Sequence, residues 1–134
     1  MKAKLRVNCP HCGTTADLHC ENATCVKCCE LLEYPKEASL YIYRLGSMYL
    51  HPCKFRVYIN DEMFGFIGNR ELIRVPLKYG TYNIRSTLGV DNDCYGMQVT
   101  LTEENPAAYV RVRIKSGMKA RLFVEPMDPK LLGL

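Results

Sequence analysis

Eight cysteines stand in the 134 residues, and six of them fall between Cys9 and Cys29. Two C-x-x-C pairs dominate this stretch: Cys9-Pro10-His11-Cys12 and, twelve residues later, Cys25-Val26-Lys27-Cys28. A three-residue step between cysteines lets one tight turn aim both sulfurs at a single point. Pro10 fixes φ after the first cysteine, and Gly13 allows the left-handed backbone such a turn often needs. Four thiolates in two pairs make a closed tetrahedral site for Zn²⁺, with sulfur at about 2.3 Å and no position left for water or substrate. A closed site is structural. The expectation is therefore one structural Zn²⁺ per chain on Cys9, Cys12, Cys25 and Cys28. A stretch of about 35 residues buries too little apolar surface to fold alone, and metal binding supplies on the order of 10 kcal/mol in small zinc modules.

The Cys9-Pro10-His11-Cys12-Gly13 knuckle makes residues 1–34 resemble the zinc-ribbon family, in which two cysteine knuckles grip zinc at the end of a small β-sheet. The resemblance implies that Lys4 to Val7 lead into the first knuckle, that Thr14 to Cys20 run away from it, and that Glu21-Asn22 turn the chain back. The second knuckle departs from the family, with Cys29 where glycine is common. Cys29 competes with Cys28 for the fourth position, and Cys20, His11 and His19 lie near enough in sequence to compete as well. A second metal on Cys20, Cys29 and a histidine is the less favoured reading, as is a thioredoxin-like role, since no βαβ pattern surrounds either pair. Disulfides are the alternative for this many cysteines. Met1 to Val7 has no apolar core of a secretory signal, so the expected location is cytoplasmic, where paired thiols favour metal. Cys53 and Cys94 read as small buried side chains.

Composition narrows the rest. A hydrophobic share of 48% and a charged share of 24% belong to a globular chain, and no apolar run reaches the ~20 residues of a membrane helix. The formal charge of +4 counts every cysteine as neutral. Four thiolates on one Zn²⁺ would remove about two charges, so the basicity is weak support for a nucleic-acid partner.

Pro35 and its charged neighbours place a boundary near residue 35, giving a ribbon over 1–35, a second domain over 36–128 and a tail over 129–134. Leu40 to Arg44 alternates and reads as a strand. Phe55, Val57 and Ile59 alternate with Arg56 and Tyr58, and Asn60-Asp61-Glu62 turns the chain into Met63 to Ile67, a hairpin. Leu72 to Leu77 follows, with Pro76 suggesting a sheet edge or strand end. Tyr82 to Leu88, Met97 to Leu101, Val110 to Ile114 and Ala120 to Val124 complete the strands, and Gly89 to Gly96 reads as a loop. The expected class is all-β: a small zinc ribbon followed by an antiparallel β-sandwich of seven or eight strands. The order Phe55 to Asn60, then Val75 to Tyr82, resembles an uncharacterised group of bacterial β-sandwich domains similar to carboxypeptidase-regulatory-like and PEGA-like modules, across residues 38–126. Pro76 and Gly80 stand further apart here than in the tight turn of that group. The group has no catalytic residues to carry over, so the resemblance implies binding or spacing.

No catalytic set emerges. His51 precedes Pro52-Cys53 without an assignable third partner. Asp91-Asn92-Asp93 lacks the ligand alternation and distal glutamate of a calcium loop. Gly65-Phe66-Ile67-Gly68 lacks the lysine of a phosphate loop. The chain is expected to be a non-enzymatic protein-interaction or scaffold module, with a protein partner or a second copy joined through sheet edges. The alternative is a nucleic-acid face built from Lys27, Tyr109, Arg111, Arg113 and Lys115, for which a solvated outer strand face is the simpler reading.

Overall fold

The computed structural model describes residues 3–9, 12, 13, 15–18, 34–46, 54–87, 94–115 and 121–133. Cys20, Cys25, Lys27, Cys28, Cys29, His11, His19, His51 and Cys53 lie outside them. Eleven strands and no α-helix occur among the described residues, so none holds a helix long and apolar enough to cross a membrane. The strands are β1 (Lys4–Asn8), β2 (Thr15–Leu18), β3 (Ala38–Arg44), β4 (Phe55–Ile59), β5 (Glu62–Ile67), β6 (Leu72–Leu77), β7 (Gly80–Thr87), β8 (Cys94–Tyr95), β9 (Met97–Leu101), β10 (Ala107–Lys115) and β11 (Arg121–Pro126).

They form two sheets. One has seven strands in the order β2-β1-β6-β3-β10-β11-β8, the other four in the order β5-β4-β7-β9. Leu40, Ile42, Ile73, Val75, Val110 and Val112 from the large sheet share one buried core with Phe55, Val57, Ile67, Ile84 and Val99 from the small one. The cause is the period of two: side chains alternate across a strand, so β3 buries Leu40 and Ile42 while Tyr41 and Tyr43 remain half-buried on the other face. Arg44 keeps the phase of Leu40 and Ile42 and is itself buried. Its guanidinium lies 3.5 Å from the centroid of the Phe55 ring and donates to the Ile67 carbonyl at 3.2 Å.

The hairpin expected at Asn60-Asp61 joins β4 to β5, and both residues take positive φ, 52° and 63°. A two-residue loop of this kind matches the right-handed twist of its strands, and Asn and Asp tolerate it. Asn60 is tied further, its side-chain oxygen accepting from the Asn83 amide at 2.9 Å.

Two expectations are corrected. The large sheet is mixed rather than antiparallel, because β1 runs parallel to β6, β3 to β10, and β11 to β8. Nine strands, not seven or eight, lie between Ala38 and Pro126 among the described residues, since Cys94–Tyr95 pairs with β11 where a loop was expected. Of the two places expected for Pro76, the strand end holds: it is the penultimate residue of β6, which lies between β1 and β3. The β1 pairing reaches Arg74, two residues short of the proline, so the missing amide interrupts no bond there. β1 pairs with β6 within the large sheet, so strands from both sides of residue 35 share it. The expected tail is a 3₁₀ turn, Pro129–Leu132, capped by the Asp128 side chain and a left-handed Gly133.

Gly96 shows how closely β7 and the start of β9 are fitted within the small sheet. A Cβ there would fall 2.5 Å from the Ile84 carbonyl oxygen, a backbone atom that cannot rotate away. Gly96→Ala is expected to cost about 2–3 kcal/mol in chemical denaturation, whereas Gly68→Ala, with nothing within 4 Å, should change stability by less than about 0.5 kcal/mol. Equal effects at the two positions would contradict this packing.

Candidate metal centre

The first knuckle sits at the tip of the β1–β2 hairpin. The two strands pair antiparallel from Leu5↔Leu18 to Asn8↔Thr15, and Cys9, Cys12 and Gly13 belong to the loop between them. Inside that loop the Gly13 amide donates to the Cys9 carbonyl at 2.8 Å, and Gly13 takes φ of 77°. The left-handed glycine reverses the backbone just after the second cysteine. Cys9 is buried and Cys12 is exposed. At the base of the loop the Asn8 side-chain amide donates to Thr15 Oγ1 at 3.1 Å. A turn of this shape, with thiols at its first and fourth positions, is suited to present two sulfurs to one cation. Cys25 and Cys28, the other half of the expected ligand set, lie outside the described residues.

The hairpin is tied to both sheets. On one side β1 pairs with β6. On the other, side chains reach the small sheet: Arg6 Nη1 donates to the Phe66 carbonyl at 2.6 Å, and Thr15 Oγ1 donates to the Phe64 carbonyl at 2.7 Å. Glu71 joins these contacts together from the turn before β6. Its carboxylate accepts from Arg6 Nη1 at 2.9 Å, from Lys4 Nζ at 3.1 Å and from the Gly68 amide at 3.2 Å. Burial alone would raise its pKa; the bonds from Arg6, Gly68 and Lys4 outweigh it and hold the carboxyl down at about 2, against 4.5 for the free side chain.

Reading the sequence missed Glu71 and Thr15, whose partners lie 65 and 49 residues away. One signal was available: Glu71 is the sole carboxylate between Glu62 and Asp91, set at the start of an apolar strand. Beside the hairpin a cavity of about 480 Å³ opens between the sheets, lined by Arg6, Asn8, Tyr34, Met63, Phe64 and Tyr82 among others.

The residues of the expected nucleic-acid face are in part brought together. Tyr109, Arg111 and Arg113 share one face of β10, and the Tyr109 ring stacks on Tyr41 at 4.8 Å between centroids and 15° between planes. The arginines are engaged, however. Glu125 on β11 accepts from Arg111 at 3.3 Å and pairs closely with Arg113 as well. Burial would raise the Glu125 carboxyl, but Arg113 and Arg111 pull its pKa below the usual range. The face thus neutralises part of its own charge. The Lys115 side chain and Lys27 are outside the described residues. The chain matches no protein-family model, no curated protein and no solved structure.

Proposed function

We propose that this chain is a non-enzymatic zinc-binding protein in which Cys9, Cys12, Cys25 and Cys28 hold one structural Zn²⁺ per chain. Its two-sheet body serves as a protein-interaction or scaffold module, working in the cytoplasm where thiols stay reduced. The observation that carries this reading is the Cys9–Gly13 turn: a hydrogen-bonded loop with a left-handed glycine, holding one buried and one exposed cysteine at the end of a pinned hairpin. Metal there would act as a staple, setting the angle of the hairpin tip rather than doing chemistry. The zinc-ribbon and bacterial β-sandwich resemblances fit the same reading.

Elemental analysis of the purified chain tests it. One zinc per chain is expected, falling to under a tenth in Cys12→Ser, with chelation of the wild type lowering its melting temperature. Metal-free protein with unchanged stability in chelator would remove the reading, and two zinc ions would bring in Cys20 and Cys29.

A second reading is favoured by the Tyr41–Tyr109 stack beside Arg111 and Arg113: the β10 face holds a single-stranded nucleic acid. Its mark would be binding to an oligonucleotide that weakens steeply with salt. Because Glu125 already engages both arginines, the interaction-module reading is preferred.

A further inference from the structure

β5 is the outer strand of the small sheet, with β4 on one side and no paired strand on the other among the described residues. Open strand edges recruit other chains unless something guards them. Residues Met63 to Ile67 carry neither charge nor proline. A bulge sharpens the hazard. Register passes from Val57↔Gly65 to Tyr58↔Met63, leaving Phe64 as the extra residue. Met63 and Phe66 then oppose Tyr58 and Arg56, so both project from the outer face, 42% and 46% exposed.

The guard on this edge is the knuckle hairpin. Thr15 and Arg6 cap the Phe64 and Phe66 carbonyls, which are alternate groups along the strand. A Cβ on Gly65 would lie 3.3 Å from Thr15 Cγ2, so the hairpin rests directly against β5. Thr15 stands only three residues after Cys12.

We propose that the amino-terminal hairpin is a metal-held gate over the β5 edge, and that the partner admitted when it opens is β5 of a second copy. The strand is self-complementary about an axis at Phe64–Gly65. Antiparallel pairing there sets Met63 of each copy opposite Phe66 of the other, on the same face, and Glu62 opposite Ile67, so no like charges meet. The opening step rests on the zinc reading above; the edge interface does not.

The experiment separates the two. Full-length protein is followed by sedimentation velocity, with zinc content and far-ultraviolet circular dichroism recorded for each sample. Wild type with zinc is expected at the 15.3 kDa monomer. Arg6→Ala/Thr15→Val uncovers the edge without touching a thiol and should shift toward twice that mass; Thr15→Val alone, which leaves the Arg6–Glu71 pair intact, should shift part of the way. Chelation of the wild type should produce the same dimer. Adding Met63→Lys and Phe66→Lys, both at exposed positions, should return every sample to monomer. A folded Arg6→Ala/Thr15→Val protein that stays monomeric, or a dimer indifferent to the two lysines, overturns the interface. A zinc-loaded wild type that stays monomeric after its metal is stripped overturns the gate. Wild type purified without zinc would instead remove the metal reading and leave the edge result standing.

Discussion

Glu71→Gln is expected to lower the unfolding free energy at pH 7 by about 3 kcal/mol, and to remove much of the protein's loss of stability in mild acid. Arg6 and Glu71 are both largely shielded, with side chains 11% and 17% exposed, so replacing the carboxylate strands a guanidinium in a poorly solvated place. Lys4 is more than half exposed and contributes little beyond a screened contact. The pH dependence follows from the direction of the shift. Glu71 titrates near 2 when folded and near 4.5 when free, so its contribution is complete above about pH 4.5 and disappears as pH falls toward 2. A displacement of that size corresponds to about 3 kcal/mol. Glu125 is also held below the usual carboxylate range and is lost in the same direction. It is present in both proteins, so the difference between wild type and variant isolates Glu71. Urea unfolding at pH 7 and at intervals down to pH 3 supplies the measurement. Parallel curves for the two proteins would show that the carboxylate does not anchor the hairpin.

A second large effect is expected at Ile42. Its side chain is fully buried in the middle of β3, with Ile73 of β6 and Val110 of β10 as its register neighbours. The small sheet closes over the same core through Val57 and Ile84. Removing three carbons where three strands and an opposing sheet meet leaves a cavity that the rigid ladders cannot close. Ile42→Ala should cost about 3–4 kcal/mol. Gln98→Ala, on the exposed face of β9, should stay within about 0.5 kcal/mol and serves as the control. A loss under about 1 kcal/mol at Ile42 would mean that the two sheets do not share this core.

Much of this was legible residue by residue. Alternation in Phe55 to Ile59 and in Tyr109 to Ile114 marks strands and assigns their faces, because a pleated backbone sends successive side chains to opposite sides. Asn60-Asp61 marks a tight hairpin, since those residues accept the positive φ it demands. Cys9 to Gly13 likewise spells a knuckle turn, and Gly13 takes the left-handed backbone expected of it. Each of these signals is local, settled by steric limits within a few bonds.

Partner choice was not legible. Nothing in Lys4 to Asn8 says that it will lie parallel to β6, nor does Ala38 to Arg44 announce a parallel neighbour in β10. Alternation says which face of a strand is buried and is silent about which strand lies beside it. Glu71 gained its role only when folding brought Arg6 and Lys4 to it across more than sixty residues. Met63 and Phe66 make the same point on a smaller scale. Simple alternation places residues three apart on opposite faces, and only the bulge between β4 and β5 turns both outward. Local chemistry thus determined the strands, their turns and the cysteine loop. The tertiary structure decided which strands meet, which edge the hairpin covers and where its charges are neutralised, because those outcomes depend on contacts between segments that the chain order keeps apart.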